Sequence, residues 1–401
     1  MKKKRKDMKK KNTLLIMWPY KFTATDAQQF EIAQIEKKGV KVIINDLSYI
    51  TNKYYDAVIT KGFNKVKKFK SINQWSVYLT KLKKNHNIFL YNHIAFNSFN
   101  ALKLHYLVNT SKLPFLTYPS PLVAPTLTEK NKDYWYFKIK GIHNYLGNII
   151  LLFKQKLISF CESKINYKKK YILLAGNFRY SKKKENGKII NGHALDYSQF
   201  LQIKKKLKKN YIVYLDGQEP YFKSDWDFTK QQEYYHKFNI PKWYKDYNNF
   251  FDFLEKEFSC KVIICSHPKT KGHDNPYYKK RIIDHRTNAA SSLIPSAKFV
   301  VTEHSSAVSY AVLARKPIIF ITNDQLNSLP VLNDEISSVA AETGSKVINV
   351  NSFKKKNFLE NLKINKKIYV NYKYKYLVSK SNENKKNYEI IVNLINNYYK
   401  K

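Results

Sequence analysis

The sequence predicts an α/β protein with two doubly wound domains facing a cleft and a C-terminal helical segment. Three observations carry this expectation. Short apolar runs alternate with amphipathic spacers along most of the 401 residues, the pattern of βαβ units. The alternation pauses at a Lys-rich joint, 164–170, and then restarts. Polar residues able to hold a proton or a phosphate collect at strand ends of the second half, and open parallel sheets bind ligands outside those ends.

Each element follows from its residues. Residues 1–11 are nearly all Lys and lack the apolar core and cleavage site of a leader, so they read as a basic, solvated tail. Strands are expected at 13–18, 40–44, 56–59 and 87–90, with helices over 27–38 and 74–84. Four prolines make 113–128 an irregular loop beside the cleft. The most lipophilic window, 145–160, is broken by Lys154 and Lys156 and falls short of a membrane span, so it reads as a core or interfacial helix.

The second half restarts with a strand at 171–175 that ends in Gly176-Asn177. Further strands are expected at 211–215, 261–265, 298–302, 317–322 and 346–350. Helices are expected over 197–207, 247–258, 286–293 and 306–314, and the tail 353–401 is helical around Ile390–Ile395. The expected division is 1–11 tail, 12–168 N-terminal Rossmann-like domain, 169–350 C-terminal Rossmann-like domain and 351–401 helical segment.

Composition narrows the function classes. The net charge of +43 would ordinarily suggest nucleic acid, but only five of the 73 basic residues are Arg, whose fork reads bases and phosphates. Lys, Asn, Ile and Tyr rise together, as in an AT-rich genome, and no recognition helix, zinc finger or RNA-binding motif occurs. Surplus lysine fits weak attraction to acidic sugars or to the anionic inner membrane. Three cysteines, Cys161, Cys260 and Cys265, have neither disulfide nor zinc spacing, which fits a reducing cytoplasm. The expectation is a cytoplasmic protein with peripheral membrane contact.

Three motifs carry the chemistry. They are Leu215-Asp216-Gly217, Ser266-His267-Pro268-Lys269 and Glu303-His304-Ser305-Ser306, each closing an apolar strand. Singly, each has a bland explanation. Asp-Gly is a turn, His-Pro opens a helix, and Ser-Ser caps one. In this order, at successive strand ends, they point to one crevice. Gly176 and Asn177 form a small-residue turn at a strand end, and His193, Asp196 and Arg179 border the same strand end. His93 and Asn92 close a strand of the first domain. No paired carboxylates of metal-binding type close a strand, so neither a metal nor a cofactor is expected.

An Asp-Gly, His-Pro and Ser-Ser series on two Rossmann-like domains resembles GT-B glycosyltransferases that use CMP-activated acidic sugars. These include bacterial sialyltransferases and the β-Kdo transferases of capsule and lipopolysaccharide assembly. The run Ala307-Val-Ser-Tyr-Ala-Val-Leu-Ala-Arg315-Lys-Pro317 extends the likeness, which covers about 171–324. The resemblance implies that Asp216 acts on the sugar as base or nucleophile. It implies that His267, Pro268, Lys269, Ser305 and Ser306 hold the leaving phosphate, and that Glu303, Gly176 and Asn177 contact the nucleotide. It also implies a glycan or glycolipid acceptor. Leu215 stands where sialyltransferases carry an acid, so the motif supplies one carboxylate only. Two other readings stay open: a CDP-glycerol or other nucleotide-sugar transferase, and a non-enzymatic basic protein binding nucleic acid or membranes.

Overall fold

A computed structural model describes residues 10–51, 63, 65–95, 98–118, 145–165, 167, 169–177, 187–203, 209–217, 220–221, 238–267, 270, 274–286, 288–328 and 330–400. Among the described residues the strands form two parallel sheets. The first runs β3-β2-β1-β4-β5-β6-β7 and the second β10-β9-β8-β11-β12-β13. In chain order the first contains β1 (Lys11–Trp18), β2 (Lys41–Asp46), β3 (Val66–Lys68), β4 (His86–Asn92), β5 (Phe115–Thr117), β6 (Lys170–Ala175) and β7 (Lys188–Gly192). The second contains β8 (Tyr211–Leu215), β9 (Lys261–Cys265), β10 (Ile283–Asp284), β11 (Val300–Thr302), β12 (Ile318–Thr322) and β13 (Val347–Asn349). In each sheet the chain steps outward for three strands, then crosses to the other side of the first. That reversal opens a crevice at the strand ends. Together the two sheets and the C-terminal helices confirm the expected fold class.

Sheet membership differs from expectation at one place. The strand expected to open the second domain, β6, pairs with β5 through Leu116 and Tyr171, and β7 pairs with β6. Both belong to the first sheet, so residues 170–192 extend the unit that was expected to end at 168. A Lys-rich joint marks solvent exposure, and a helix–strand connection inside a domain is as exposed as a linker. The proposed strand at 56–59 lies outside the described residues.

The expected helix over 27–38 is two helices, Ala24–Gln29 and Ile32–Lys37, broken where Glu31 takes a left-handed φ of 52°. The break turns the Glu31 carboxylate inward. There it accepts hydrogen bonds from Gln202 Nε2 (3.2 Å) and the Tyr388 amide (3.1 Å). The proline-rich loop contains a short strand, β5, before leaving the described residues.

Each face of the first sheet is covered. Helices Ile72–Asn85 and Phe99–Thr110 bury Trp75, Leu79, Leu104 and Val108 against one face. The other face receives Ile32 and Ile35, and also Ile390, Ile391 and Ile395 of the last helix, Asn387–Tyr399. The chain thus returns from the second sheet to complete the first. The return passes so close to β6 that a Cβ on Gly176 would lie 2.3 Å from the Lys375 carbonyl oxygen. Behind the second sheet, helix Ile240–Phe258 buries Trp243, Tyr244, Tyr247, Phe250, Phe251 and Leu254 along one stripe. Asn239 caps its start and Ser259, at φ 46°, ends it.

Ile395 is fully buried where the returning helix meets the first sheet. Ile395→Ala should cost about 2–5 kcal/mol of unfolding free energy, as for other buried large-to-small changes. Urea denaturation measures this. A loss under about 0.5 kcal/mol, the scale of a surface change, would show that the helix is not part of the first core.

Candidate active site

The register of the second sheet assembles the site. Leu215 of β8 pairs with Cys265 of β9 on one side and with Thr302 of β11 on the other. The next residues, Asp216, Ser266 and Glu303, therefore leave the sheet at one level. His267 follows on one flank, Ser305 and Ser306 on the other. Asp216, His267, Ser305 and Ser306 all line a single cavity of about 190 Å³ at the point where the strand order reverses.

Each group is held by local structure. The Asp216 amide donates to the Cys265 carbonyl (3.1 Å), and the side chain is 5% exposed. Its Oδ1 accepts the hydroxyl of Tyr278 at 2.9 Å. The His267 carbonyl accepts the Thr270 amide (3.0 Å), and the Ser266 and Thr270 hydroxyls pair at 2.7 Å. Pro268 and Lys269 lie outside the described residues. Ser305 Oγ accepts the Ala307 amide at 3.2 Å, and the following helix begins at Val308. Ala307 rather than a serine occupies the capping position, so the serines border the turn before the helix.

Glu303 is not where the sequence placed it. Instead of reaching the cavity, its carboxylate is buried behind Asp216. There Tyr214 donates to Oε1 at 2.5 Å. Burial drives its pKa up to about 7, the nearby Asp216 charge adds to the rise, and hydroxyls of Tyr214 and Tyr247 counter part of it. A second carboxylate, from the end of the neighbouring strand, thus lies close to Asp216. Tyr214, Tyr244 and Tyr278 surround the pair, their hydroxyls pushed well above the usual range by burial and by these acids. Such phenols remain protonated: Tyr214 donates to Glu303 and Tyr278 to Asp216, while the Tyr244 hydroxyl accepts the Tyr221 amide at 3.3 Å.

Other expectations are corrected by the path of the returning chain. Gly176 and Asn177 end a strand of the first sheet and face the return, where the Asn177 amide donates to the Tyr374 and Lys375 carbonyls. Neither lines the cavity: Gly176 is needed for close backbone approach, with φ 64°. His193 is fully buried and bonded to the Lys385 carbonyl, while its backbone exchanges two hydrogen bonds with the Asn387 side chain. It fastens the return and does not contact the cavity. Asn92 bonds the Ile94 amide in its own turn, and His93 sits among Trp18, Phe30 and Tyr91. Burial there drives the His93 imidazole down to about 3, so it is neutral. Arg179 lies outside the described residues.

Asp196, by contrast, does line the cavity. It follows the first sheet, yet it accepts the Ser309 hydroxyl of the second lobe at 2.5 Å. Its surroundings push its pKa up by desolvation. Gln29 and Gln199 join it on that side.

Sequence reasoning missed Arg286 and Tyr278. Arg286 lines the cavity and is clamped to Asp284 by contacts of 2.9, 3.0 and 2.5 Å. The signal available was scarcity: in a chain with five arginines, one lying just beyond a short strand deserved weight. Tyr278 comes from a short 3-10 turn, Pro276–Tyr278, with no periodic pattern to mark it. Among the described residues, no group of three or more His, Cys, Asp or Glu side chains converges as a metal site.

The Glu303 shift has a definite sign. Its folded pKa exceeds the ordinary 4.5, so the proton bound by the folded state stabilises it fully below about pH 4.5. That contribution is lost as pH rises through 7. Glu303→Gln should therefore gain stability relative to the wild type between pH 4.5 and 8, by about 3 kcal/mol. Urea denaturation at both pH values measures it, and a pH-independent difference would contradict the assignment.

No protein-family model matches this chain, and neither does any curated protein. Solved structures do resemble it. The wall teichoic acid polymerase TagF is similar at 12% identity and a TM-score of 0.54, over 98% of this chain and 90% of that one. The glycosyltransferase SnogD from Streptomyces nogalater aligns at 10% identity and a TM-score of 0.49, over 96% and 99%. MurG from Acinetobacter baumannii aligns at 10% identity and a TM-score of 0.45, over 96% and 99%. The likeness to TagF is one of fold, and it matches the two-sheet GT-B architecture with C-terminal helices.

Proposed function

We propose that the protein is a glycosyltransferase. It would move an acidic sugar, of the Kdo or sialic acid type, from a CMP-activated donor to a surface polysaccharide or lipopolysaccharide acceptor at the cytoplasmic face of the membrane. The observation that carries this reading is the convergence of Asp216, His267, Ser305 and Ser306 on one cavity at the switch point of a parallel sheet. A CMP-sugar bears one phosphate, and that phosphate gains charge as the sugar departs. His267 can donate a hydrogen bond to it, or neutralise it when protonated. The hydroxyls of Ser305 and Ser306 and the Arg286 guanidinium supply further donors on either side. In this reading charge is neutralised by side chains, with neither metal nor cofactor taking part.

Asp216 is the group placed to act on the sugar. In an inverting reaction it would take the proton from the acceptor hydroxyl. In a retaining one its carboxylate would attack the anomeric carbon, forming a glycosyl ester as CMP leaves. Tyr278 donates to Oδ1 and so fixes the orientation of the carboxylate for either role. Glu303, protonated below about pH 7, keeps a second negative charge away from Asp216. Two acids with environments this different suit two different roles.

A second reading is favoured by one observation, the fold likeness to a wall teichoic acid polymerase. In that case the donor would be CDP-glycerol, and His267 and the serines would hold the phosphates. The two readings part at the donor. Purified protein incubated with CMP-activated acidic sugars and with CDP-glycerol should release CMP from one class only. Absence of CMP release from both, together with no melting-temperature shift by CMP, would sink both.

The division of labour predicts different losses at two positions. Asp216→Ala should abolish turnover and leave CMP affinity within about threefold of wild type, because no charge-assisted bond to the nucleotide is lost. His267→Ala should weaken CMP binding by roughly 1.5–3 kcal/mol, the worth of a charge-assisted hydrogen bond, and slow turnover as well. Calorimetric titration with CMP and a CMP-release assay measure the two effects. Near-normal turnover in Asp216→Ala would mean that this strand end is not the catalytic one.

A further inference from the structure

The outer surface of the first lobe carries a feature that the transferase site does not use. Helix Tyr145–Lys164 turns Phe153, Leu157 and Phe160 to solvent, 70%, 39% and 60% exposed. Their spacing of four and three residues places them on one helical face. Ile158, off that stripe, is the buried contact. A stripe of this kind ordinarily faces a core, so its outward direction calls for a partner. Beside it runs an apolar groove of about 590 Å³, lined by Ile72, Leu102, Tyr106, Leu107, Phe160 and Ile165. Tyr106 is 60% exposed at its edge.

The charge around this groove selects the partner. The three helices that form it, Ile72–Asn85, Phe99–Thr110 and Tyr145–Lys164, carry Lys81, Lys83, Lys84, Lys103, Lys154, Lys156 and Lys164 against a single acid, Glu162. Lys103 and Lys164 stand at the groove itself, and Lys164 lies over the Phe160 ring at 5.2 Å. Two copies of such a face would repel one another. An anionic bilayer, with phosphates above and acyl chains beneath, matches both the lysines and the phenylalanines. Among the described residues no helix is long and apolar enough to cross a membrane, so the contact would be peripheral.

We propose that the Phe153–Leu157–Phe160 stripe and the adjoining groove dock the first lobe on an anionic lipid surface. The aromatic rings enter the headgroup–acyl boundary while the lysines pair with lipid phosphates. This inference is independent of the transferase reading, because it concerns binding to lipid and no catalytic group takes part.

Flotation of the full chain with phosphatidylcholine vesicles, with and without phosphatidylglycerol, tests it. The wild type should bind the anionic vesicles and not the neutral ones. The triple variant Phe153→Ser, Leu157→Ser, Phe160→Ser should bind at least about tenfold more weakly, because it loses most of the inserted apolar area. The pair Lys156→Glu, Lys164→Glu, which keeps the rings, should also lose at least about tenfold. Lys356→Glu with Lys363→Glu makes the same charge change on the second lobe and should stay within about twofold of wild type. Melting temperatures establish that each variant folds, and should the triple variant unfold, the two lysine pairs decide. Binding by the folded triple variant at wild-type strength would overturn the proposal, and so would equal loss from both lysine pairs. A lipid-free dimer that the triple variant abolishes would also overturn it, assigning the face to a second copy.

Discussion

The register of β8 is the constraint on which the site depends. This strand lies at the centre of the second sheet, with Ile212, Val213, Tyr214 and Leu215 all buried. Its pairing with β9 and β11 sets Asp216 level with the ends of both neighbours. A slip of one residue would exchange the two faces of the strand, turning Tyr214 and the residues flanking it the wrong way. The aromatic layer beneath makes that slip costly. Tyr214 packs against Phe251 at 4.9 Å between ring centroids, and Tyr244 meets Tyr278 edge-on at 5.3 Å. Two of these tyrosines, Tyr214 and Tyr278, also donate hydrogen bonds to the buried acids. Packing and electrostatics are therefore set by one set of rings, and neither can be altered alone.

Legibility in the sequence followed the range of the interaction. Strand-end motifs were readable because an apolar run followed by polar residues is a local pattern, and all three fell on real strand ends. The role of Glu303 was not readable. Its neighbours on the chain are His304 and the serines, whereas its environment comes from Tyr214, 89 positions away, and from the helix behind the sheet. Gly176 and His193 misled for the same reason. Both sit beside polar residues at a strand end, and both exist for a chain segment some two hundred residues later. Sheet membership of β6 and β7 was hidden because a strand's own residues show that it is buried and do not show which sheet buries it.

That late segment also explains how a two-sheet chain holds its cavity together. The last helix fills the first core, so the lobes are joined twice, through the connection after β7 and through the return. Glu31 ties the broken helix of the first lobe to Gln202 and to the Tyr388 amide, linking three distant stretches in one buried carboxylate. Desolvation raises its pKa, and the donors around it oppose the rise. Next to this junction the Asp196–Ser309 contact closes the cavity from the first-lobe side. Groups from both lobes thus border one small space, the arrangement that the proposed transfer between a held donor and an incoming acceptor would need.

The surplus of lysine and the chemistry of the cavity are separate matters. Among the described residues that line the cavity there is no lysine, although the chain carries a net charge of +43. Among those residues the fixed cation is Arg286, paired with Asp284, whose own pKa is held below the usual range through the same clamp. The other donors among the described lining residues are neutral: hydroxyls, the side-chain amides of Gln29, Gln199 and Asn288, and the His267 imidazole. Under the proposed function such a cavity would hold a small anion by directed hydrogen bonds, His267 among the donors. The lysines act at longer range, where a diffuse positive field raises the local concentration of anionic ligands and surfaces. Salt would weaken that long-range attraction first, because exposed charges are screened within about 10 Å at 0.1 M while buried groups are screened far less. Under the proposed function, encounter and chemistry would therefore fall to different residues on one chain.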